Sequence, residues 1–160
     1  MRSLGPGEGH TVSPMPHTAA QTAHTSLMRD HVTPQLRERG YVGSSTFRRH
    51  LPTGWHLLTF QGSYSGDSAK VTFDFAAITD AAWAERLAWY AEHTPSVKLP
   101  DRPTATWADG ERIGVARMGL DQWYEYKPTA DLAALCARIM KDLDRYATPY
   151  MEKRVPSWRR

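Results

Sequence analysis

The sequence contains a single cysteine, Cys136, so it can form no intramolecular disulfide and no zinc site built on several thiolates. This residue lies between Leu135 and Ile139, on the apolar side of a predicted helix. Free cysteine is among the residue types most often buried in proteins. We therefore interpret Cys136 as a structural thiol rather than a nucleophile.

Long apolar segments are also missing. No stretch approaches the roughly 20 apolar residues that a membrane-spanning helix needs. The basic start of the chain is not followed by the continuous apolar segment of a secretory signal. We expect a soluble, cytoplasmic protein without a membrane partner.

The sequence has little excess charge of either sign. The formal net charge is +3, and much of the excess lies near the C-terminus, in Lys153, Arg154, Arg159 and Arg160. Elsewhere acidic and basic residues alternate, without the basic stripe of a nucleic-acid reader, so a nucleic-acid partner is not expected. The Gly/Ser-rich segment 62–68 lacks the lysine and the following helix of a phosphate loop, and no cofactor is indicated.

The length of 160 residues suits one domain with a genuine core. The first 20 residues hold three prolines and three glycines and almost no large apolar side chain. Such a segment buries too little surface to offset the entropy of ordering. We predict a disordered tail at residues 1–21, a single domain at residues 22–152 and a basic tail at residues 153–160.

The central segment 55–75 predicts a β-hairpin, because two alternating runs flank a polar loop at residues 62–68. Val71, Phe73 and Phe75 share one face and should meet the core. Thr72 and Asp74 then point to the opposite surface. An earlier strand is predicted at residues 41–50.

Helical spacing predicts a first helix over residues 22–39, with Pro34 either kinking it or restarting it from a Thr33 cap. A second helix should follow an Asp80 cap and end near residue 92, and a third should run from a Thr129 cap to residues 148–149. Alternation in 112–118 and 123–126 indicates another hairpin.

These elements predict an α+β fold. Its antiparallel sheet should have about five strands and be curved, with the N- and C-terminal helices on one face and an inserted helix near residues 80–92.

Several short motifs resemble the bacterial domain of unknown function 4304 family over about residues 24–150. They are Leu36-x-x-x-Gly40-Tyr41, Thr46-Phe47-Arg48, Phe60-Gln61, Val71-Thr72-Phe73-Asp74, Glu111-Arg112-Ile113-Gly114 and Asp121-x-Trp123-Tyr124. At position 74 the family pattern favours asparagine, so this chain places an ionisable group there. The resemblance implies an α+β fold and bacterial gene neighbourhoods that include toxin and immunity genes, but no established reaction or cofactor.

Histidines recur every seven residues at His10, His17, His24 and His31. Prolines at positions 14 and 16 prevent one helix from carrying all four, and helical metal ligands typically lie three or four residues apart. We interpret the spacing as coincidence and expect no metal site.

Two residues are candidates for acid–base catalysis. The pKa of a histidine such as His56 suits proton transfer, but the sequence shows no catalytic partner for it. A hydrogen-bonded structural histidine is therefore the more ordinary interpretation. Asp74 could serve as a base on an enclosed sheet face, or could pair with Arg112 in a bidentate fashion. The ion pair is the favoured alternative.

A binding face is predicted from Gln61, Thr72, Arg112 and Tyr124, next to Asp74. The aromatic residues Trp107, Trp123, Tyr124 and Tyr126 are dense enough either to fill the core or to line a ligand surface.

The favoured function is a binding module that accepts a small molecule or a protein partner on this face. The alternatives are a cofactor-independent enzyme acting on a small organic substrate, in which Asp74 or His56 moves a proton, and a toxin-immunity protein. The sequence leaves the oligomeric state open.

Overall fold

The computed structural model describes residues 18–158, so the predicted tail up to residue 17 lies outside the described residues. The N-terminal helix combines α-helical Ala19–Ser26, a π-helical turn at Leu27–Val32 and α-helical Thr33–Glu38. Thr18 caps it: the Thr18 hydroxyl accepts from the Gln21 amide at 3.2 Å, and Gln21 Oε1 accepts from the Thr18 amide at 2.9 Å. Placing residues 18–21 in a disordered tail is therefore wrong.

Pro34 neither ends this helix nor restarts it from a Thr33 cap. Thr33 is buried and makes no side-chain capping bond. The wider π turn directly before it lets the chain continue as a helix past a proline that has no amide to donate.

The C-terminal helix also continues past a proline by means of a π turn. It comprises Leu132–Asp142, a π turn at Leu143–Ala147 and Thr148–Arg154, with Pro149 just after the π turn. Asp131 caps it by accepting from the Ala134 amide at 3.0 Å. The predicted Thr129 cap and the predicted end at residues 148–149 are thus wrong, and Val155 beyond the helix is fully buried.

The sheet is open, antiparallel and six-stranded, which confirms the predicted α+β class. Its strands are β1 (Val42–Gly43), β2 (Thr46–Leu51), β3 (Gly54–Ser65), β4 (Ser68–Thr79), β5 (Glu111–Arg112) and β6 (Tyr124–Tyr126). The order is β1-β2-β3-β4-β5, and β6 also pairs with β4. Strands β3 and β4 are joined by only Gly66 and Asp67, so most of the predicted loop 62–68 is strand.

The predicted hairpin of residues 112–118 and 123–126 is wrong. In the first run only Arg112 belongs to a strand, and Ile113–Met118 forms a short helix that stops at Gly119, whose φ is +74°. In the second run Tyr124–Tyr126 is a strand, as predicted. Strands β5 and β6 do not pair with each other. They lie one after the other along the same edge of β4, opposite Asp74 and Val71 respectively.

The larger core lies between one sheet face and the two terminal helices. Val71, Phe73 and Phe75 contribute to it, as predicted, and each is at most 1% exposed. A smaller cluster on the opposite face contains Leu57, Ala76, Ile78, Trp83 and Ala105.

The inserted helix, Asp80–His93, covers part of this second face through Trp83. Its cap is Thr79, whose side chain accepts from the Ala82 amide at 3.1 Å, rather than the predicted Asp80. The helix therefore covers one end of the second face.

Within residues 18–158, no helix combines the length and the apolar character that a membrane crossing requires.

Candidate functional site

A charged cluster occupies the second face of the sheet beyond the inserted helix. Its centre is Arg112 on β5, which lies directly opposite Asp74 on β4. Arg112 Nε donates to Asp74 Oδ1 at 3.0 Å, one terminal nitrogen donates to Asp121 at 2.8 Å, and the other donates to Gln61 at 3.2 Å. We call these four residues the Arg112 cluster.

The guanidinium group of Arg112 is held by three different acceptors, rather than in the predicted bidentate pair with Asp74. Burial alone would lower the pKa of Arg112, but the hydrogen bonds that it donates to Asp74 and Asp121 raise it. Arg112 therefore stays charged, and each of its three nitrogens already has an acceptor. This arrangement holds β3, β4, β5 and the 119–123 turn together.

Trp123 lies beside the cluster, between two cations. Lys70 Nζ is 4.9 Å from the centre of its ring, and Arg112 Cζ is 5.4 Å away. Lys70, Thr72 and Asp74 alternate along β4, so all three lie on this face. Thr72 is 0% exposed and cannot contact a ligand directly, which corrects its predicted binding role.

Tyr124 lies on the opposite face from Asp74, although it also lines the cavity next to Trp123 that is described below. It is directly opposite Val71 and therefore points towards the core, where it is 2% exposed. Its hydroxyl donates to Asp142 Oδ2 at 2.5 Å, and Arg117 donates to the same oxygen at 2.9 Å. Burial, followed by the hydrogen bond to Asp142, raises the pKa of Tyr124.

The other aromatic residues of this region do not gather on one surface. Tyr126 is buried, and its hydroxyl shares a hydrogen bond of 3.2 Å with His24 Nδ1. Trp107 lies next to the inserted helix, 5.7 Å from Tyr90. Only Trp123 adjoins the Arg112 cluster.

His56 also points away from Asp74. It is 0% exposed on the core face of β3, and its Nε2 donates to the carbonyl oxygen of Val155 at 2.6 Å. Burial lowers the pKa of His56. Because Asp74 and His56 lie on opposite faces of one sheet, they cannot act on the same bound substrate.

The spaced histidines form no common site in the described part of the chain. His10 and His17 lie outside the described residues, and His24 contacts Tyr126 and, at 5.5 Å between ring centres, Tyr64. Among residues 18–158, no group of three or more His, Cys, Asp or Glu side chains is arranged to hold a metal ion.

An open cavity of about 670 Å³ adjoins Trp123, between the 117–125 segment and the C-terminal helix. Three cationic side chains line it, from Lys70, Arg117 and Arg138, together with two carboxylates, from Asp121 and Glu125. Asp121 is paired with Arg112, and Arg117 with Asp142. Lys70 and Arg138 have no carboxylate partner among residues 18–158.

Apolar side chains form the rim of this cavity. Met118 is 54% exposed and Leu120 is 57% exposed, and both line it with Trp123. We call this site the Trp123 cavity. It combines the rings of Trp123 and Tyr124, exposed apolar surface and two cations that have no carboxylate partner among residues 18–158, which together suit an organic anion.

A comparison with known protein families matches residues 32–153 to the domain of unknown function (DUF4304). The chain belongs to the DUF4304 family. No curated protein and no solved structure matches this DUF4304 chain.

Several residues of the site in this DUF4304 chain were not among those predicted from the sequence, including the charged residues Asp121, Lys70 and Arg138. Asp121 precedes Trp123 in a turn, and an acidic residue next to an isolated tryptophan is a weak signal that could have suggested it. The alternation of Lys70 with Thr72 and Asp74 places all three on one face, but Lys70 was not predicted to bind a ligand. Nothing local links Arg138 to this region, because the terminal helix packs there only in the folded chain.

Proposed function

We propose that this DUF4304 chain is a binding module that takes a small aromatic carboxylate in the Trp123 cavity. The observation that carries the proposal is that Lys70 and Arg138 line one cavity and have no carboxylate partner in the described part of the chain. A carboxylate between them would be attracted by both charges. The volume of about 670 Å³ falls within the usual range for small-molecule sites.

Each part of such a ligand has a matching surface. The carboxylate would pair with Lys70 and Arg138, and the planar ring would contact Trp123 and the exposed side chains of Met118 and Leu120. Glu125 opposes the binding of an anion, since it lines the same cavity and lies directly opposite Lys70 across the two strands. Its removal should therefore strengthen binding.

The Arg112 cluster has a supporting role in this proposal. Arg112 holds the turn that carries Trp123 by donating to Asp121, and it also contacts the Trp123 ring. Asp74 and Gln61 in turn fix Arg112. These residues of the predicted binding face act as positioning residues for Trp123.

Acid–base catalysis is the weaker proposal. The two candidate residues lie on opposite sheet faces, and Asp74 is engaged by Arg112. The immunity role stays a prediction, since it depends on a partner protein.

The test is a titration with benzoate in which binding is measured from the ¹⁵N–¹H NMR signal of the Trp123 indole. Benzamide is the neutral control of the same shape. We expect benzoate to bind with a millimolar dissociation constant, as its small size allows, and benzamide to bind more weakly. Lys70→Gln and Arg138→Gln should each weaken benzoate binding several-fold, and Glu125→Gln should tighten it.

Two further variants serve as matched controls. Lys98→Gln removes the same type of cation from the exposed loop after the inserted helix, and Lys141→Gln removes a cation from the same helix as Arg138. Neither residue lines the Trp123 cavity. Equal shifts with benzoate and benzamide, or equal losses in all four cation variants, would refute the proposal.

A further inference from the structure

A second aromatic site lies on the outer side of the inserted helix, away from the Trp123 cavity. An open cavity of about 610 Å³ is lined there by Trp89, Tyr90 and Trp107. The rings of Trp89 and Tyr90 are 5.1 Å apart between centres at 77°, and those of Tyr90 and Trp107 are 5.7 Å apart at 85°. The tyrosine ring thus stands nearly perpendicular to both indoles.

The aromatic walls are fixed from both sides. Trp89 stacks on His93 at 4.5 Å with 12° between the ring planes. Arg86 donates to the Trp107 carbonyl oxygen and pairs with Asp109 at 2.9 Å, which anchors the 104–110 loop to the helix. The cavity is therefore preformed, although Trp89 is 51% exposed.

The charge of the lining is negative. Glu85 and Asp109 contribute two carboxylates, and Arg86 contributes the single cation, which is already paired with Asp109. Glu85 has no ion-pair partner among residues 18–158. Aromatic ring faces and an unpaired carboxylate attract the same kind of group, an organic cation.

We propose that this cavity binds a methylated ammonium group, in an aromatic cage formed by Trp89, Tyr90 and Trp107. A quaternary ammonium group needs no hydrogen-bond acceptor and gains most from ring faces, whereas an unmodified ammonium group is better solvated in water. Glu85 supplies the counter-charge at the rim. The cavity does not overlap the Trp123 cavity in any lining residue, so the two proposals stand independently.

The experiment compares choline with 3,3-dimethylbutan-1-ol, the alcohol of the same shape in which carbon replaces the ammonium nitrogen. Binding is followed by calorimetry and by the indole ¹⁵N–¹H signals. We expect choline to bind and to shift the Trp89 and Trp107 signals. The Trp83 indole donates to Asp101 at 3.2 Å and should not respond, so it is an internal control.

Variants separate the cage from general hydrophobic binding. Trp89→Leu should weaken choline binding about two- to fivefold, whereas Trp89→Phe should retain most of it, because a ring face is kept. Glu85→Gln should weaken it by a similar factor. Lys141 lines neither cavity, so Lys141→Gln should leave choline binding unchanged.

A further comparison identifies the source of the cation. A short peptide with trimethyllysine that binds more tightly than choline would indicate a modified protein as the ligand, and the reverse would indicate a free small cation. Equal binding of choline and 3,3-dimethylbutan-1-ol, no binding of either, or an unchanged affinity in Trp89→Leu would overturn the proposal.

Discussion

Arg112 lies directly across the sheet from Asp74, and its Nε atom donates to Asp74 Oδ1 at 3.0 Å. The same guanidinium group reaches Asp121 in the turn before Trp123. One side chain thereby joins the edge of the sheet to the turn that carries the aromatic residue of the proposed binding site. Stability and ligand affinity should consequently respond together to changes at position 74.

Asp74→Asn should lower the free energy of unfolding by about 1 kcal/mol, because an amide oxygen still accepts from Arg112 but carries no charge. Asp74→Ala should cost about 2 kcal/mol, since it removes that acceptor from a partly buried guanidinium group. Urea denaturation of both variants measures the difference. A larger loss in the asparagine variant than in the alanine variant would contradict the ion pair.

Gly62→Ala should destabilise the protein by about 1–3 kcal/mol, as overpacking does. A Cβ atom at this position would come within 2.7 Å of His24 Cε1, and the imidazole ring is held in place by the Tyr126 hydroxyl. Thermal or urea unfolding of the variant gives the cost.

A double-mutant cycle is the control for this contact. His24→Ala removes the ring, so Gly62→Ala should cost much less in that background. An unchanged cost would show that the strain at Gly62 comes from another contact.

Gly114→Ala should be destabilising by about 3 kcal/mol, although helix propensity alone would predict a gain of about 1 kcal/mol. Its Cβ atom would lie 2.5 Å from the backbone nitrogen of Gln122, and that backbone cannot rotate away as a side chain can. Denaturant unfolding provides the measurement. A stabilised variant would mean that the short helix and the 120–122 segment do not approach each other closely.

Stability should fall as the pH drops below about 6.5, because the folded protein holds His56 in its neutral form. Burial lowers the pKa of His56 from 6.5, and it lowers the pKa of His24 in the same direction. At pH values between 6.5, the ordinary pKa of histidine, and the lower pKa that each histidine has in the folded protein, the unfolded chain binds more protons than the folded chain. Protonation therefore favours unfolding in this range. Below the folded values both states are protonated and the slope disappears.

Urea midpoints at about pH 7.5 and about pH 5.5 test this dependence. His56→Gln keeps a donor for the Val155 carbonyl and has no titrating group, so its midpoint should change less between the two pH values. If the urea midpoint of the variant changes between the two pH values as much as that of the unmodified protein, the buried imidazole of His56 does not cause the pH dependence.

Cys136 should react slowly with a thiol reagent in the folded protein and rapidly in urea. The residue is 4% exposed, and burial raises the pKa of its thiol, so little thiolate is present or accessible. The rate at which a chromogenic disulfide reagent releases its coloured thiol measures the reactivity of Cys136. Fast labelling without denaturant would indicate that the helix opens locally around residue 136.

The sequence predicted the central β-hairpin and its faces well, because alternation over Val71, Phe73 and Phe75 is a local pattern with only one buried arrangement. It also predicted that Asp74 pairs with Arg112. Thr72 was placed on the correct face, but its complete burial was not visible from the local pattern.

The failures share a physical cause. The alternation of Ile113 and Val115 predicted a strand, yet the segment forms a short helix in which Gly114 lets the Gln122 backbone approach closely. Tyr124 was assigned to the face that carries Asp74, but its pairing with Val71 directs it to the core face. Side-chain direction in a strand depends on the pairing register, which short segments specify weakly.

The sequence by itself determined the helix, hairpin and helix order, the single buried thiol and the apolar face of the sheet, because these follow from residue spacing and burial tendency. Tertiary structure alone decided where β5 and β6 pair, which face Tyr124 and His56 occupy, and how Lys70 and Arg138 meet at one cavity. Local sequence patterns determine which residues tend to be buried, but long-range packing determines which charged side chains line the same cavity.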